Sequence, residues 1–355
     1  MTIDNNQQLA FFNLLQAGLW EDISMISNLS IPQNVDWAAL YHLAEKQGIV
    51  GLVAAGLDRM KVDIPKTWAL QFIGAALQIE QKNKAMNAFI ADIISKMREA
   101  DIKTLLVKGQ GLAQCYEKPL WRPSGDVDFL LDDSNYERAV EFMLPLSSNS
   151  KPEGKYSKHI GMDIGQWYVE LHGTLRTNLS ARVDKEIDTV HKDTFENKRF
   201  REWQDDDMIV LLPEVNNDVF FVFTHFIKHF YKEGGVTLRQ LCDWCRLLWT
   251  FRDALDLQLL DLRINRAGLM NEWKVFSAVA VEWLGMPSES MPFWDSKFRN
   301  KGARLVNLIL RGNVGSEMEY VYQLARIFPR KTFAYLPSIF LNVNWLKIKE
   351  RLFAR

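Results

Sequence analysis

Ser124-Gly125-Asp126-Val127-Asp128-Phe129-Leu130-Leu131 sets two carboxylates at positions i and i+2 inside a run of strand-forming residues. Successive side chains of a strand point to opposite faces, so Asp126 and Asp128 share one face while Val127 and Phe129 take the other. At a separation of roughly 7 Å, two like charges repel by about 2 kcal/mol at an effective dielectric of ~20. Such a pair favours a cation between its members, and a hard divalent metal meets that need. An Asp-x-Asp pair is also what a solvated strand face carries, so the reading turns on what flanks it.

Upstream, Lys103 to Val107 is a short β-rich run that ends in Lys108-Gly109-Gln110-Gly111 and passes into a helical stretch, Leu112 to Tyr116. A helix that opens on a glycine turn offers free backbone N–H groups and a positive dipole end, both of which suit phosphate. Glycine is equally the default wherever a tight connection needs a positive φ, so this turn informs only in combination with the acidic pair. Downstream, a helix is expected at about Tyr136 to Leu144, with Asp132-Asp133 starting or capping it rather than extending the acidic cluster. Alternating segments at Tyr156 to Met162 and Trp167 to His172, joined at Gly165-Gln166, predict a hairpin.

On the second hairpin strand Tyr168, Glu170 and His172 share a face, with Val169 and Leu171 behind. If that strand lies beside the Asp126 strand, Glu170 becomes a third carboxylate in an oxygen-rich cluster that can hold Mg2+ together with substrate phosphates. Two such ions about 3.5 to 4 Å apart clamp the attacking and leaving oxygens of an in-line displacement. His172 reads as a hydrogen-bonded residue at a strand end rather than a catalytic one.

Outside this centre the pattern is helical. From Asn5 to about Ala100 apolar residues recur at helical spacing, punctuated by Pro32 and Pro65, with a long last helix from roughly Trp68 to Glu99. Helical periodicity returns after Asp205, with breaks at Gly234-Gly235, Gly268, Pro287 and Gly312. The class expected is α+β and predominantly helical, with a small mixed sheet flanked by helical regions. The division is residues 1–100, an αβ core at 101–205, and 206–355, because single cores rarely grow past ~250 to 300 residues.

Composition narrows the function. A 48% hydrophobic and 25% charged content is that of an ordered globular chain. A formal net charge of −1 gives no broad basic surface for long nucleic acids, although Lys228, Lys232 and Arg239 keep a local basic patch and a nucleic-acid acceptor open. Three cysteines argue against a disulfide framework and predict a cytoplasmic protein. Cys242-Asp243-Trp244-Cys245 has C-x-x-C spacing on a helix without a second pair, so packed thiols are expected rather than zinc. No secretory signal or 18-residue apolar span is evident, and the aromatic stretch from Phe328 to Phe353, with Trp345, reads as helix packing rather than membrane contact.

Three segments together carry a resemblance. Leu105-Leu106-Val107-Lys108-Gly109-Gln110-Gly111-Leu112-Ala113, then Arg122-Pro123-Ser124-Gly125-Asp126-Val127-Asp128, then Val169-Glu170-Leu171-His172 resemble the DNA polymerase beta-type nucleotidyltransferases, and within them the uncharacterised nucleotidyltransferase group. The resemblance implies a polymerase beta-like core that moves a nucleoside monophosphate from an NTP, ATP among them, to a hydroxyl-bearing acceptor. It implies that the turn at Gly109, Gln110 and Gly111 holds the triphosphate, that Asp126, Asp128 and Glu170 coordinate two Mg2+ ions, and that Lys108 and Arg122 add positive charge. The turn departs from the superfamily in having Gln110 where a serine is usual, a role that Ser124, next to Gly125, is placed to fill. His225-Phe226-Ile227-Lys228-His229 and Gly234 through Asp243 resemble the helical segment after the core in the same group, which implies that Lys228, His229 and Arg239 touch nucleotide or acceptor. The acceptor is open, a small molecule being favoured. The competing readings are a non-catalytic nucleotide-binding or regulatory module on the same scaffold and a helical interaction protein; retention of all three carboxylates argues against the first.

Overall fold

Asp126–Leu130 forms the strand its composition predicts, here β2, and it is an interior strand of a five-stranded sheet. The computed structural model describes residues 5–152, 158–205, 208–232, 235–312 and 317–340. The other strands are β1 (Leu105–Val107), β3 (Asn149–Pro152), β4 (His159–Ile164) and β5 (Trp167–His172), in the order β1-β2-β5-β4-β3. The β2–β5 pair is parallel and the other neighbours are antiparallel, so the sheet is mixed. Gly165, at φ +59°, makes the two-residue turn that sets Ile164 opposite Trp167.

The sheet has one apolar face. Val127, Phe129, Val169 and Leu171 are buried there against Met86, Ile90, Ile93 and Met97 of the helix Lys66–Glu99 and against Tyr136, Ala139 and Met143 of the helix Asp133–Met143. Asp132 caps the latter helix by accepting from the Asn135 N–H, which is the capping role its position predicts. The opposite face carries Asp126, Asp128 and Glu170 and meets the helices that follow the sheet. A second buried cluster joins Phe11, Leu14 and Val53 from the N-terminal helices to Phe223, Trp244, Trp273 and Tyr335 from the C-terminal ones, so helices from both ends of the sequence share it.

Helix predominates, as the periodicity predicts, and the long helix begins at Lys66, directly after Pro65. Two regions depart from the sequence reading. After Asp205 the pattern predicts helix, yet Met208–Pro213 forms strand β7 paired with β6 (Phe200–Asp205) in a separate two-stranded sheet. Met-Ile-Val-Leu-Leu is a short apolar run whose period does not distinguish helix from strand, and its pairing with Phe200–Asp205 decides the outcome. Asn149–Pro152, without an alternating pattern, becomes an edge strand because it pairs with β4. Tyr156, Gly234 and the C-terminal segment beyond Phe340, including Trp345, lie outside the described residues. Among the described residues no helix is long and apolar enough to cross a membrane.

Candidate active site

The parallel register of β2 and β5 sets Asp128 beside Glu170 and Asp126 beside Tyr168. Carboxylate oxygens of Asp126, Asp128 and Glu170 consequently lie within 4.8 Å of one another. Three hard oxygen donors this close are the donor set that Mg2+ takes in phosphate-handling sites, so these residues fit such an ion. One lysine reaches the cluster. Lys108 directly follows β1 and its Nζ lies 2.6 Å from Asp128 Oδ1, leaving the formal balance of the cluster negative.

Backbone geometry places that lysine. Lys108 has φ +59° and ψ −148°, a conformation nearly reserved for glycine, and Gly109 follows at φ +40°. Two consecutive positive φ angles turn the chain from β1 into the short helix Gly109–Ala113, at a cost of about 1–3 kcal/mol for the lysine that its ion pair helps to offset. Charge follows from the same geometry. Burial alone would drive the Lys108 ammonium down, but the carboxylates of Asp128, Glu170 and Asp126 outweigh it and hold it raised. Repulsion from Asp128, then burial, raises the Asp126 carboxyl against the pull of Lys108. Burial would likewise raise Glu170, yet hydrogen bonds from His159 and His172 hold it well below its usual range.

A cleft opens over Asp126 and Asp128. Val222, His225, Phe226 and His229 of the helix Val215–Lys232 line it, as do Arg239, Gln240 and Asp243 of the helix Leu238–Thr250. Arg239 Nη1 donates to the Pro123 carbonyl at 3.2 Å, while its buried Nε has no hydrogen-bond partner. Burial, then the neighbouring Arg122, lowers the Arg239 pKa against the opposing pull of Asp243 and Asp126. Burial, followed by Lys108 and His229, pushes His225 well below its ordinary value, which keeps the imidazole neutral.

The loop before β2 is held from three sides. Arg122 makes a bidentate pair with Asp243, Nε to Oδ1 at 2.8 Å and Nη2 to Oδ2 at 2.6 Å, and the Tyr116 hydroxyl donates to the same carboxylate at 2.7 Å. Asn83, on the long helix, donates to the carbonyls of Leu120 and Arg122 at 2.8 and 2.7 Å. Gly51 lets the helix Val50–Met60 press on the same loop: a Cβ there would lie 2.0 Å from the Trp121 carbonyl oxygen.

The structure thus brings Asp126, Asp128, Lys108, Gly109, Gly125, Arg122, His229 and Arg239 to one cleft, and Glu170, which does not line it, keeps a carboxylate oxygen within 4.8 Å of those of Asp126 and Asp128. Other residues singled out in the sequence stand elsewhere. Gln110 points into the interior, its Nε2 donating to Asn83 Oδ1 at 2.8 Å, so its side chain braces the long helix instead of meeting phosphate. Gly111 packs against β7, where a Cβ would come 2.8 Å from Leu212 Cδ2, which is a packing reason for glycine. Ser124 is buried with its hydroxyl accepting from Arg122 Nη1 at 2.7 Å, and Lys228 is not among the residues lining the cleft. Arg122 lines the cleft with its charge already met by Asp243. Cys242 and Cys245 are buried free thiols.

Two features were missed in the sequence. His159 lies 3.2 Å from Glu170 through Nε2 and opposite His172, a position that the two-residue turn at Gly165-Gln166 fixes once each partner is counted outward from it. Asp243, 121 positions from Arg122 in the sequence, carries no local signal of that pairing.

Comparison with curated proteins and with solved structures returned no match. The sequence model of one family matches residues 33–285, a span that includes every residue of the cleft and more than two thirds of the chain. By that match, this chain belongs to the uncharacterised nucleotidyltransferase family.

Proposed function

We propose that the chain is a divalent-metal-dependent nucleotidyltransferase that moves a nucleoside monophosphate from an NTP to a hydroxyl on an acceptor and releases pyrophosphate. The convergence of the Asp126, Asp128 and Glu170 oxygens beside a cleft lined by Asp126, Asp128 and Arg239, whose buried Nε has no hydrogen-bond partner, carries this reading. These three carboxylates would hold Mg2+, with two ions in the polymerase beta-like arrangement. When bound, Mg2+ neutralises phosphate charge and polarises the reacting oxygens.

The chain's own residues do the rest. Arg239 and Lys108 balance the anionic triphosphate, and Gly109, whose φ of +40° shapes the turn, presents backbone to it. The Arg122–Asp243 pair fixes the loop that aims Asp126. His225 and His229, on the wall formed by the helix Val215–Lys232, bound the space for base or acceptor. An acceptor oxygen bonds to the α-phosphorus as the bridge to the β-phosphate breaks, the electron pair leaving with pyrophosphate and the hydroxyl proton passing to water. Positioning and electrostatics lower the barrier without a covalent protein nucleophile. A net charge of −1 favours a small hydroxylated acceptor over a long nucleic acid, and three buried free thiols fit a reducing cytoplasm.

Calorimetry with non-hydrolysable analogues of the four NTPs, with and without Mg2+, tests the reading on wild type and on Asp126→Asn/Asp128→Asn. Metal-dependent binding of at least one analogue, lost in the double variant, is expected. Nucleotide binding that persists without Mg2+ and survives the double substitution would favour the non-catalytic module instead.

A further inference from the structure

Beside the three carboxylates, the same sheet face carries a second convergent set of donors with different chemistry. His159 opens β4 and His172 closes β5, and the register places them directly opposite each other with ring centroids 4.6 Å apart. Glu170, two residues before His172, faces Gly161 across the strands. With no side chain at Gly161, the Tyr168 hydroxyl occupies that space, 2.0 Å from where a Cβ would lie, and walls the set on one side. His159 Nε2 is 3.2 Å and His172 Nε2 is 3.3 Å from one oxygen, Glu170 Oε2. All three donor atoms lie within 4.8 Å of one another.

Those separations have a chemical meaning. A tetrahedral ion with bonds of about 2.0 Å spaces its ligands about 3.3 Å apart. Two imidazole nitrogens with one carboxylate oxygen form the three-ligand set of open zinc sites, and nitrogen donors favour borderline transition ions over Mg2+. His172 Nε2 also lies 2.8 Å from Asp128 Oδ1, which ties this set to the oxygen cluster.

We propose that His159, Glu170 and His172 form a further cation site that takes a zinc-class transition ion and shares the Glu170 carboxylate with the oxygen-only cluster. The site goes beyond nucleotidyl transfer and does not require it. A second ion on Glu170 couples transition-metal occupancy to the geometry of the Asp126 cluster, so zinc-class ions would modulate whatever that cluster binds.

The test uses the metal-freed full chain and reads binding rather than turnover. Zn2+ is titrated by calorimetry and Co2+ by visible absorption, whose intensity reports four-coordinate nitrogen and oxygen ligation. Wild type is compared with His159→Gln, His172→Gln and Asp126→Asn, with circular dichroism melts to verify folding. Expected are one zinc-class ion per chain, a loss of at least about tenfold in affinity in either histidine variant, since even outer-shell changes cost that much, and near-wild-type affinity in Asp126→Asn. An excess of Mg2+ should not displace the Co2+ spectrum. Absence of intense Co2+ absorption in wild type, or equal Zn2+ affinity in folded histidine variants, overturns the site. Loss in Asp126→Asn alone does the same by assigning the ion to the carboxylates. Failure of NTP binding alongside retained Co2+ ligation would count against the transferase reading only.

Discussion

Removing Asp243 should be among the most damaging single changes in the protein, because it strands a buried guanidinium. Arg122 and Asp243 are 6% and 5% exposed, and their two hydrogen bonds are 2.8 and 2.6 Å long. At about 4 Å between charge centres and an effective dielectric of ~20, their attraction is about 4 kcal/mol. Breaking a buried pair from one side costs about 3–5 kcal/mol, most of it the penalty of the charge left behind. In Asp243→Ala, Arg122 retains only the Ser124 hydroxyl and the Pro123 carbonyl, and Tyr116 loses its acceptor. Urea unfolding should therefore show a loss of about 3–5 kcal/mol with an unchanged slope. Replacing all three members at once, Tyr116→Phe with Arg122→Met and Asp243→Leu, removes the stranded guanidinium and phenol at the cost of the donor to the Ser124 hydroxyl, and should recover most of that loss, ending within about 2 kcal/mol of wild type. A single variant that costs under about 1 kcal/mol, or a triple variant as unstable as the single one, would refute the reasoning.

The remaining expectations concern chemistry, packing and pH. Glu170→Gln should reduce Mg2+-supported pyrophosphate release by about 10²–10³-fold, the range for loss of one electrostatic contributor; turnover at the wild-type rate would remove Glu170 from the site. Gly51→Ala should cost at least about 1–3 kcal/mol in urea unfolding because its Cβ would meet the Trp121 carbonyl, and backbone cannot rotate aside as a side chain does; a loss under about 0.5 kcal/mol would contradict the packing account. His191 is held below its ordinary pKa by burial, against the hydrogen bond its Nε2 makes to the Leu131 carbonyl, and His225 is depressed by burial and Lys108. The unfolded chain then takes up protons below about pH 6.5 that the folded chain refuses, so stability is full above that pH and falls beneath it. His191→Gln should flatten this acid slope, which a series of urea midpoints between about pH 8 and pH 5 would reveal or deny.

Much of the arrangement was legible in order along the chain. Asp126-Val127-Asp128 on a strand, the hairpin closed at Gly165-Gln166, the cap at Asp132 and the helix after Pro65 all follow from local rules of period, turn chemistry and capping. β7 was not legible, because five apolar residues in a row fit either helix or buried strand until a partner is present. The direction of the Gln110 side chain was not legible for a related reason: its place in the sequence belongs to the glycine turn, but its direction is set by Asn83 on another helix.

By itself, then, the sequence determined the residue types that make an acidic centre, the predominance of helix and the family, since these depend on spacing within a few residues and on motif order. Tertiary structure alone decided which charges meet. The parallel pairing of β2 with β5 made Glu170 a neighbour of Asp128, and the helix Leu238–Thr250 brought Asp243 to Arg122. Opposing β4 to β5 brought His159 into the same space as His172. Contacts of this kind arise when distant segments pack to bury apolar faces, and the polar partners they bring together are fixed by that packing rather than by any local pattern.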